Sequence, residues 1–179
     1  ACSSATFAIE QAVNAVRAGT ARCVLVVNPE ITSGHQAWTD RDCHFIFGDV
    51  CTALLIERAD LASNPGAWEV LGTRLATQFS NNIRTNFGFL VRTGQEDTAF
   101  VAMEGNMIKQ VGNKVFKEVT VAGHKFIVAF LAEHGLTPEG IRRFWLHQAN
   151  ARMNAMILKL AFGHEVGQDR APTVLERLG

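Results

Sequence analysis

The sequence has no excess of charge of either sign, because 17 basic residues balance 17 acidic residues. A chain without net charge has no overall field that would draw it to nucleic acid or to an anionic membrane. Only a local basic patch could bind such partners. We therefore expect neither nucleic acid nor a membrane as a partner.

Long apolar runs are also missing from the sequence. The longest, such as Cys23 to Val27, fall far short of the roughly 20 residues that a membrane-spanning helix needs. No basic start followed by an apolar stretch marks a secretory signal peptide, and no low-complexity segment or short repeat occurs. We therefore expect a globular, cytoplasmic protein.

Cysteines at metal-ligand spacing are absent as well. The four cysteines (Cys2, Cys23, Cys43 and Cys51) form no CxxC pair and have no histidine at ligand spacing, which argues against a zinc site. They are too few for a disulfide framework, and free thiols fit a reducing cytoplasm. We expect no metal, and we expect Cys23 and Cys51, which lie inside apolar runs, to be buried.

The first part of the chain predicts one helix and several strands. Apolar residues recur at helical spacing from Ala5, and Gly19 supplies a stop, so a helix should begin within one or two residues of Cys2. The run "CVLVV" predicts a strand buried on both faces. Further strands are expected on either side of Gly48 and Asp49, and over "AWEVLGTRLATQF".

The second part predicts two longer helices. One ends at Gly135 and carries its apolar residues on one stripe: Val115, Phe116, Val119, Phe126, Ile127, Phe130 and Leu131. Thr137 and Pro138 begin a short helix, and Asn150 caps a final helix that ends at Gly163. Strands are expected over "FWLHQAN" and "APTVLERLG".

Strand and helix alternate along the chain, which is typical of the α/β class with a mainly parallel sheet. The connector "LASNPG" lies between the two parts. We therefore place a boundary that separates residues 1–64 from residues 65–179.

Cys2 and His147 are the residues that carry the most chemistry. A thiolate is stabilised by the partial positive charge of a helix N-terminus, and Cys2 stands just before a predicted helix. A free cysteine is equally often a buried apolar residue, so its position alone leaves both interpretations open. His147 follows a predicted strand and precedes a helix cap, where α/β proteins often place functional side chains. A cysteine and a distant histidine together are typical of thioester chemistry.

Four segments of the sequence resemble one enzyme family. The segments "ACSSATFAIEQAVNAVRAGTARCVLVV", "TDRDCHFIFGD", "GNKVFKEV" and "WLHQANARM" are similar to β-ketoacyl-acyl-carrier-protein synthase III of the thiolase superfamily. They occur in the order of that family and cover nearly the whole chain. The resemblance implies a five-layered α/β/α/β/α thiolase-like fold and a homodimer. It identifies this chain with the middle of a longer protein, incomplete at both ends.

The resemblance also implies roles for individual residues. Cys2 matches the acyl-accepting nucleophile, and His147 matches the histidine of the decarboxylation site. We expect a third catalytic residue, an asparagine, directly after Gly179, close to both. The substrate-binding residues are expected to be Phe47, Phe87, Asn150 and Arg152, and Arg152 and Lys159 are expected to bind the carrier protein.

The implied reaction is a decarboxylative condensation of an acyl-coenzyme A primer with malonyl-acyl-carrier protein in fatty acid biosynthesis, without a further cofactor. The segment "QFSNNIRTNFGFLVR" resembles a subgroup that takes primers longer than acetyl. Two alternatives remain open at this point. One is a thiolase-like acyltransferase that uses another acceptor, and the other is a non-catalytic partner subunit of a ketosynthase.

Overall fold

The computed structural model describes residues 3–33, 38–41, 44, 47–84 and 109–171. The chain divides into two compact units, of which the first comprises residues 1–36 and 47–79 and the second residues 37–46 and 80–179. The boundary expected between residues 1–64 and 65–179 stays a prediction.

The helix of the first unit, α1, spans Ser4–Arg17 and begins two residues after Cys2 in the sequence. Ala12 and Val13 are buried, and the helix packs against the strand Cys23–Glu30, named β1. Gly19 follows the helix with a φ of +73°, a left-handed conformation that glycine adopts without steric strain. The predicted helix and its glycine stop are confirmed.

The strands of the first unit form an antiparallel pair. β1 pairs with β2, which spans Val50–Glu57, in a register that places Cys23 opposite Glu57 and Glu30 opposite Val50. The two strands were expected, but the mainly parallel pairing is wrong for this pair. Apolar runs indicate that a segment is a strand, whereas the direction of its neighbour depends on how the chain returns.

Among the described residues of this unit, one face of β1 is covered and the other is exposed. Side chains alternate along a strand, and Val26 is buried while Leu25 and Val27 on the opposite face are 64% and 52% exposed. The expectation of a strand buried on both faces is therefore wrong. Cys23 and Cys51 are exposed free thiols, so their expected burial is wrong for the same reason.

The second unit is built on two helices that pack against each other. α2 spans Gly112–Glu133 and α3 spans Ala151–Phe162. Leu131 of α2 and Leu158 of α3 meet Phe144 in a buried cluster, against which partly buried residues pack: Ile127, Ile141, Leu146, Phe162, Val166 and Ala171. The predicted helices and their glycine ends are confirmed, since Gly135 and Gly163 both have positive φ.

Short elements connect these helices to the rest of the unit. The two-residue strands Ile83–Arg84 (β3) and Lys109–Gln110 (β4) pair antiparallel shortly before α2. The Glu118 carboxylate of α2 accepts hydrogen bonds from the Ser80 hydroxyl and from the Asn82 amide. A 3-10 helix spans Pro138–Gly140, as the Thr137–Pro138 pair predicts.

Two predicted strands are wrong in the described part of the chain. The segment "AWEVLGTRLATQF" forms no strand there, and the carbonyls of Val70 and Leu71 accept from the Arg17 guanidinium at 3.3 Å. The segment "FWLHQAN" forms none either, although the N–H of Phe144 donates to the carbonyl of Arg170 at 2.7 Å. The prediction for "AWEVLGTRLATQF" came from alternation in the sequence, but a strand also needs a neighbour with which to form a ladder. The strand expected over "APTVLERLG" lies almost entirely outside the described residues.

Candidate functional site

His147 lies in a segment whose side chains alternate between core and solvent. Phe144 is 8% exposed and Leu146 packs against the same cluster, whereas Trp145 and His147 are exposed. The buried residues attach this segment to α2 and α3. As a result, His147 is on the solvent side of an anchored stretch of chain.

The turn between His147 and α3 is closed by side-chain hydrogen bonds. The Gln148 amide donates to the carbonyl of Leu146 at 3.0 Å, and Asn150 Oδ1 accepts from the N–H of Met153 at 3.1 Å. The second contact is the predicted helix cap, which is confirmed. Asn154 Nδ2, from the second turn of α3, donates to the carbonyl oxygen of His147 at 3.0 Å.

Asn154 was missed by the sequence interpretation. Its hydrogen bond to His147 joins α3 to the turn before it, and the two residues are seven positions apart in the sequence. No sequence motif marks such a pair. One signal was present, because asparagine is a poorer helix former than alanine or leucine and is uncommon inside a helix without a reason.

Arg152 and Lys159 lie on α3, and both are exposed. Seven residues correspond to almost two complete helical turns, so the two side chains leave α3 on nearly the same side, about 10 Å apart along its axis. Lys159 Nζ is 2.6 Å from Glu165 Oε1 in an ion pair with exposed side chains. Part of the positive charge at Lys159 is thus balanced by Glu165, and their role in docking stays a prediction.

Phe47 is half-buried and lies beside a pair of side-chain contacts in the first unit. The Asp49 carboxylate accepts from the Ser33 N–H at 2.8 Å and from the Ser33 hydroxyl at 2.6 Å. The Thr32 hydroxyl donates to the carbonyl of Gly48 at 2.9 Å. The hydrogen bonds from the Ser33 side chain and main chain hold the pKa of Asp49 below its usual value.

Two predicted site residues, Cys2 and Phe87, lie outside the described residues. The same holds for Gly179, after which the third catalytic residue is expected. The roles predicted for His147, Asn150 and Phe47 stay predictions too, although their surroundings are now known.

A metal site was not expected from the sequence. Within residues 3–33, 38–41, 44, 47–84 and 109–171, the structure places no three His, Cys, Asp or Glu side chains where they could hold a metal ion. Over the same ranges, none of the helices combines the length and the apolar character needed to cross a membrane.

The chain is similar to known proteins in sequence. A family model described as 3-Oxoacyl-[acyl-carrier-protein (ACP)] synthase III matches residues 1–78. Over 176 residues, 98% of the chain, the sequence is 47% identical to the beta-ketodecanoyl-[acyl-carrier-protein] synthase of Pseudomonas aeruginosa. The chain is related to the synthase III family. A beta-ketoacyl-[acyl-carrier-protein] synthase III of Brucella suis is 33% identical over 168 residues, 92% of the chain.

Solved structures of synthase III enzymes share the fold. The enzyme of Aquifex aeolicus superposes with a TM-score of 0.73 at 22% identity over 95% of the chain and 48% of its own length. The enzyme of Pseudomonas aeruginosa PAO1 gives 0.72 at 17% identity over 97% and 50%. The thiolase-like α/β fold class is therefore confirmed.

The chain spans about half the length of the curated relatives it matches, since it covers 49% of both the Pseudomonas and the Brucella synthase. The matched stretch nevertheless includes the segments in which Cys2 and His147 stand.

Proposed function

We propose that the protein containing this chain is a synthase III type acyltransferase, which condenses an acyl-coenzyme A primer with malonyl-acyl-carrier protein in fatty acid biosynthesis. The observation that carries the proposal is the 47% identity over 176 residues to a beta-ketodecanoyl-[acyl-carrier-protein] synthase. No further cofactor takes part, because coenzyme A and the carrier's phosphopantetheine are the carriers of the two acyl groups.

In the first step, the Cys2 thiolate attacks the thioester carbonyl of acyl-coenzyme A. A carbon–sulfur bond to Cys2 forms, and coenzyme A leaves as its thiol after taking up a proton. Ionisation of Cys2 is favoured because α1 begins at Ser4, and the partial positive charge at a helix N-terminus stabilises a thiolate. This step divides one difficult condensation into two easier reactions.

In the second step, the malonyl group loses its carboxylate as carbon dioxide. The electrons of the broken carbon–carbon bond move to the malonyl thioester oxygen, and the resulting enolate carbon attacks the acyl-Cys2 carbonyl. A new carbon–carbon bond forms and the Cys2 thiolate leaves. His147 donates a hydrogen bond to the enolate oxygen, and the loss of one such donor costs about a hundredfold to a thousandfold in rate.

The primer proposed for this protein is of medium length. The Pseudomonas relative is named for a ten-carbon β-ketoacyl product. Because each condensation adds two carbons, the same product here would need an eight-carbon primer. The segment 78–92 and Phe87 within it are proposed to shape the acyl pocket together with Phe47.

Several properties of the whole protein belong to this proposal. Arg152, and less strongly Lys159, would bind the acidic carrier protein, because the ion pair with Glu165 reduces the charge that Lys159 offers. Asn150 would contact the substrate next to His147. A homodimer fits the resemblance. A cytoplasmic location fits the free thiols of Cys23 and Cys51.

A series of acyl-coenzyme A primers from acetyl to decanoyl, each with malonyl-carrier protein, tests the reaction and the chain length together. We expect release of carbon dioxide, with maximal turnover at octanoyl. Acyl transfer without this release would contradict the condensation and favour the acyltransferase alternative. A maximum at acetyl would contradict only the medium-chain primer.

A second experiment tests the roles of the two catalytic residues. Cys2→Ala should abolish labelling by isotope-labelled acyl-coenzyme A, whereas Cys51→Ala, which removes an exposed thiol of β2, should leave it intact. His147→Ala should still be acylated but should fail to condense. Failure of His147→Ala to become labelled would contradict this division of roles.

A further inference from the structure

Asn154 is the one polar residue of the stripe on α3 that faces the core. Side chains three, four and seven positions apart share a helix face, and Asn154 shares its face with Ile157, Leu158 and Ala161. Ile157 and Leu158 are 6% and 2% exposed, and Asn154 is half-buried. A polar side chain on such a stripe needs a hydrogen-bond partner to offset its partial desolvation.

The partner of Asn154 is the main chain of His147. Asn154 Nδ2 donates to the carbonyl oxygen of His147 at 3.0 Å, while the N–H of Asn154 donates to the carbonyl of Asn150 at 3.1 Å in the first helical turn. The side chain of Asn154 therefore ties the turn that carries His147 to a helix whose next turn is buried.

This contact restricts the direction in which the imidazole can point. A peptide unit is planar, so holding the carbonyl oxygen of His147 fixes the orientation of the peptide bond between His147 and Gln148. Because the Cα of His147 lies in this peptide plane, the contact limits how far the Cα of His147, and the imidazole attached to it, can move relative to α3. A displacement of a catalytic group by about 1 Å can lower a rate by about a hundredfold.

We propose that Asn154 is a positioning residue, which holds the main chain at His147 and thereby orients the imidazole for the decarboxylation step. The inference rests on the proposed function, because it assigns Asn154 to the half-reaction in which His147 acts. It predicts that loss of the Asn154 amide slows condensation while acylation of Cys2 continues.

The decisive variant is Asn154→Asp, introduced into the full-length protein that contains this chain. Aspartate has the shape of asparagine but no donor, and its carboxylate repels the carbonyl oxygen of His147. We expect carbon dioxide release from malonyl-carrier protein to fall by about tenfold to a hundredfold in kcat with little change in KM. The rate of Cys2 acylation should stay near the wild-type value. Asn154→Ala removes the donor without adding charge and should show the same division.

Two comparisons separate positioning from a general effect on folding. Asn14→Asp introduces the same change on an exposed position of α1 and should alter neither half-reaction. A drop of both half-reactions together with a lower thermal midpoint in Asn154→Asp and Asn154→Ala would overturn the inference. Unchanged carbon dioxide release in both variants would overturn it as well.

A spectroscopic measurement keeps the inference independent of the proposed reaction. The imidazole signals of the six histidines can be resolved by NMR of ring-labelled protein, and the His147 signal is assigned with His147→Ala. Asn154→Asp and Asn154→Ala should shift the His147 signal, whereas Asn14→Asp should not. If His147→Ala still condenses, the proposed role of His147 fails. An unchanged His147 signal in the Asn154 variants would overturn the positioning itself.

Discussion

Gly123 of α2 lies directly against Ile157 of α3. A β-carbon at Gly123 would be 3.3 Å from Ile157 Cδ1 and 3.6 Å from its Cγ1. The two helices pack closely at this point because glycine has no side chain, and the buried Ile157 occupies the space that a side chain would fill. The contact belongs to the core that holds α3, and therefore the turn of His147, in place.

We predict that Gly123→Leu destabilises the protein by about 1–3 kcal/mol, because overpacking forces side chains and backbone out of their preferred positions. Gly123→Ala should be nearly neutral, since the gain in helix propensity of about 1 kcal/mol offsets a contact that the end of Ile157 can relieve by moving. Urea unfolding measures both.

The matched control is Gly112→Leu, at the first residue of the same helix, where an added β-carbon meets nothing within 4 Å. Its effect should stay within about 0.5 kcal/mol of the wild type. Equal destabilisation by Gly112→Leu and Gly123→Leu would show that Ile157 does not limit the space at Gly123.

The hydrogen bonds between Ser33 and Asp49 predict how the stability of the folded protein depends on pH. Their hydrogen bonds lower the pKa of Asp49 from its usual 3.8, so the ionised carboxylate favours the folded state. This contribution is present above pH 3.8 and is lost as the pH falls through the lower pKa of the folded protein. Ser33→Ala should raise the pKa of Asp49 toward its usual value, and a carboxylate NMR titration measures the change.

Ser63→Ala is the control for this titration, because Ser63 is an exposed serine of the same unit. It should leave the Asp49 titration unaltered. A pKa of Asp49 that is the same in wild type and Ser33→Ala would mean that the Ser33 hydroxyl does not stabilise the carboxylate in solution.

Asn150 gives a prediction for the start of α3. Asn150→Ala removes the acceptor for the N–H of Met153 and should lower the free energy of unfolding by about 1 kcal/mol. Asn150→Asp keeps an acceptor and adds a negative charge at the helix N-terminus, so its stability should equal or exceed the wild type. Thermal and urea unfolding distinguish the variants, and equal losses in both would contradict a capping role.

Local signals allowed part of this structure to be predicted from the sequence. The stop at Gly19 and the cap at Asn150 depend on residues within one helical turn, and both were identified correctly. The predicted apolar stripe of α2 is buried at Val115 and Leu131, whereas Val119 on the same stripe is 40% exposed. Such features need no knowledge of where the rest of the chain lies.

Long-range relationships could not be predicted from the same patterns. The antiparallel pairing of β1 with β2 depends on the path of the chain between them, and alternation over "AWEVLGTRLATQF" does not supply a strand partner. In the candidate site, the role of His147 follows from the resemblance and stays a prediction. Its contact with Asn154 could not be found, because hydrogen bonds between a turn and the inside of a helix leave no periodic signal.

Arg152 and Lys159 lead to a prediction about the carrier protein. Arg152→Glu should raise the KM for malonyl-carrier protein by about tenfold at low salt, because exposed charges mainly change the rate of encounter with an oppositely charged partner. The KM for acyl-coenzyme A should not change.

Lys159→Glu should have a smaller effect, since the Lys159 ammonium already pairs with Glu165. Steady-state kinetics at several salt concentrations test both variants, and added salt should reduce the difference from the wild type. If Arg152→Glu raised both KM values equally, its effect would lie in the structure of α3 and not in binding of the carrier protein.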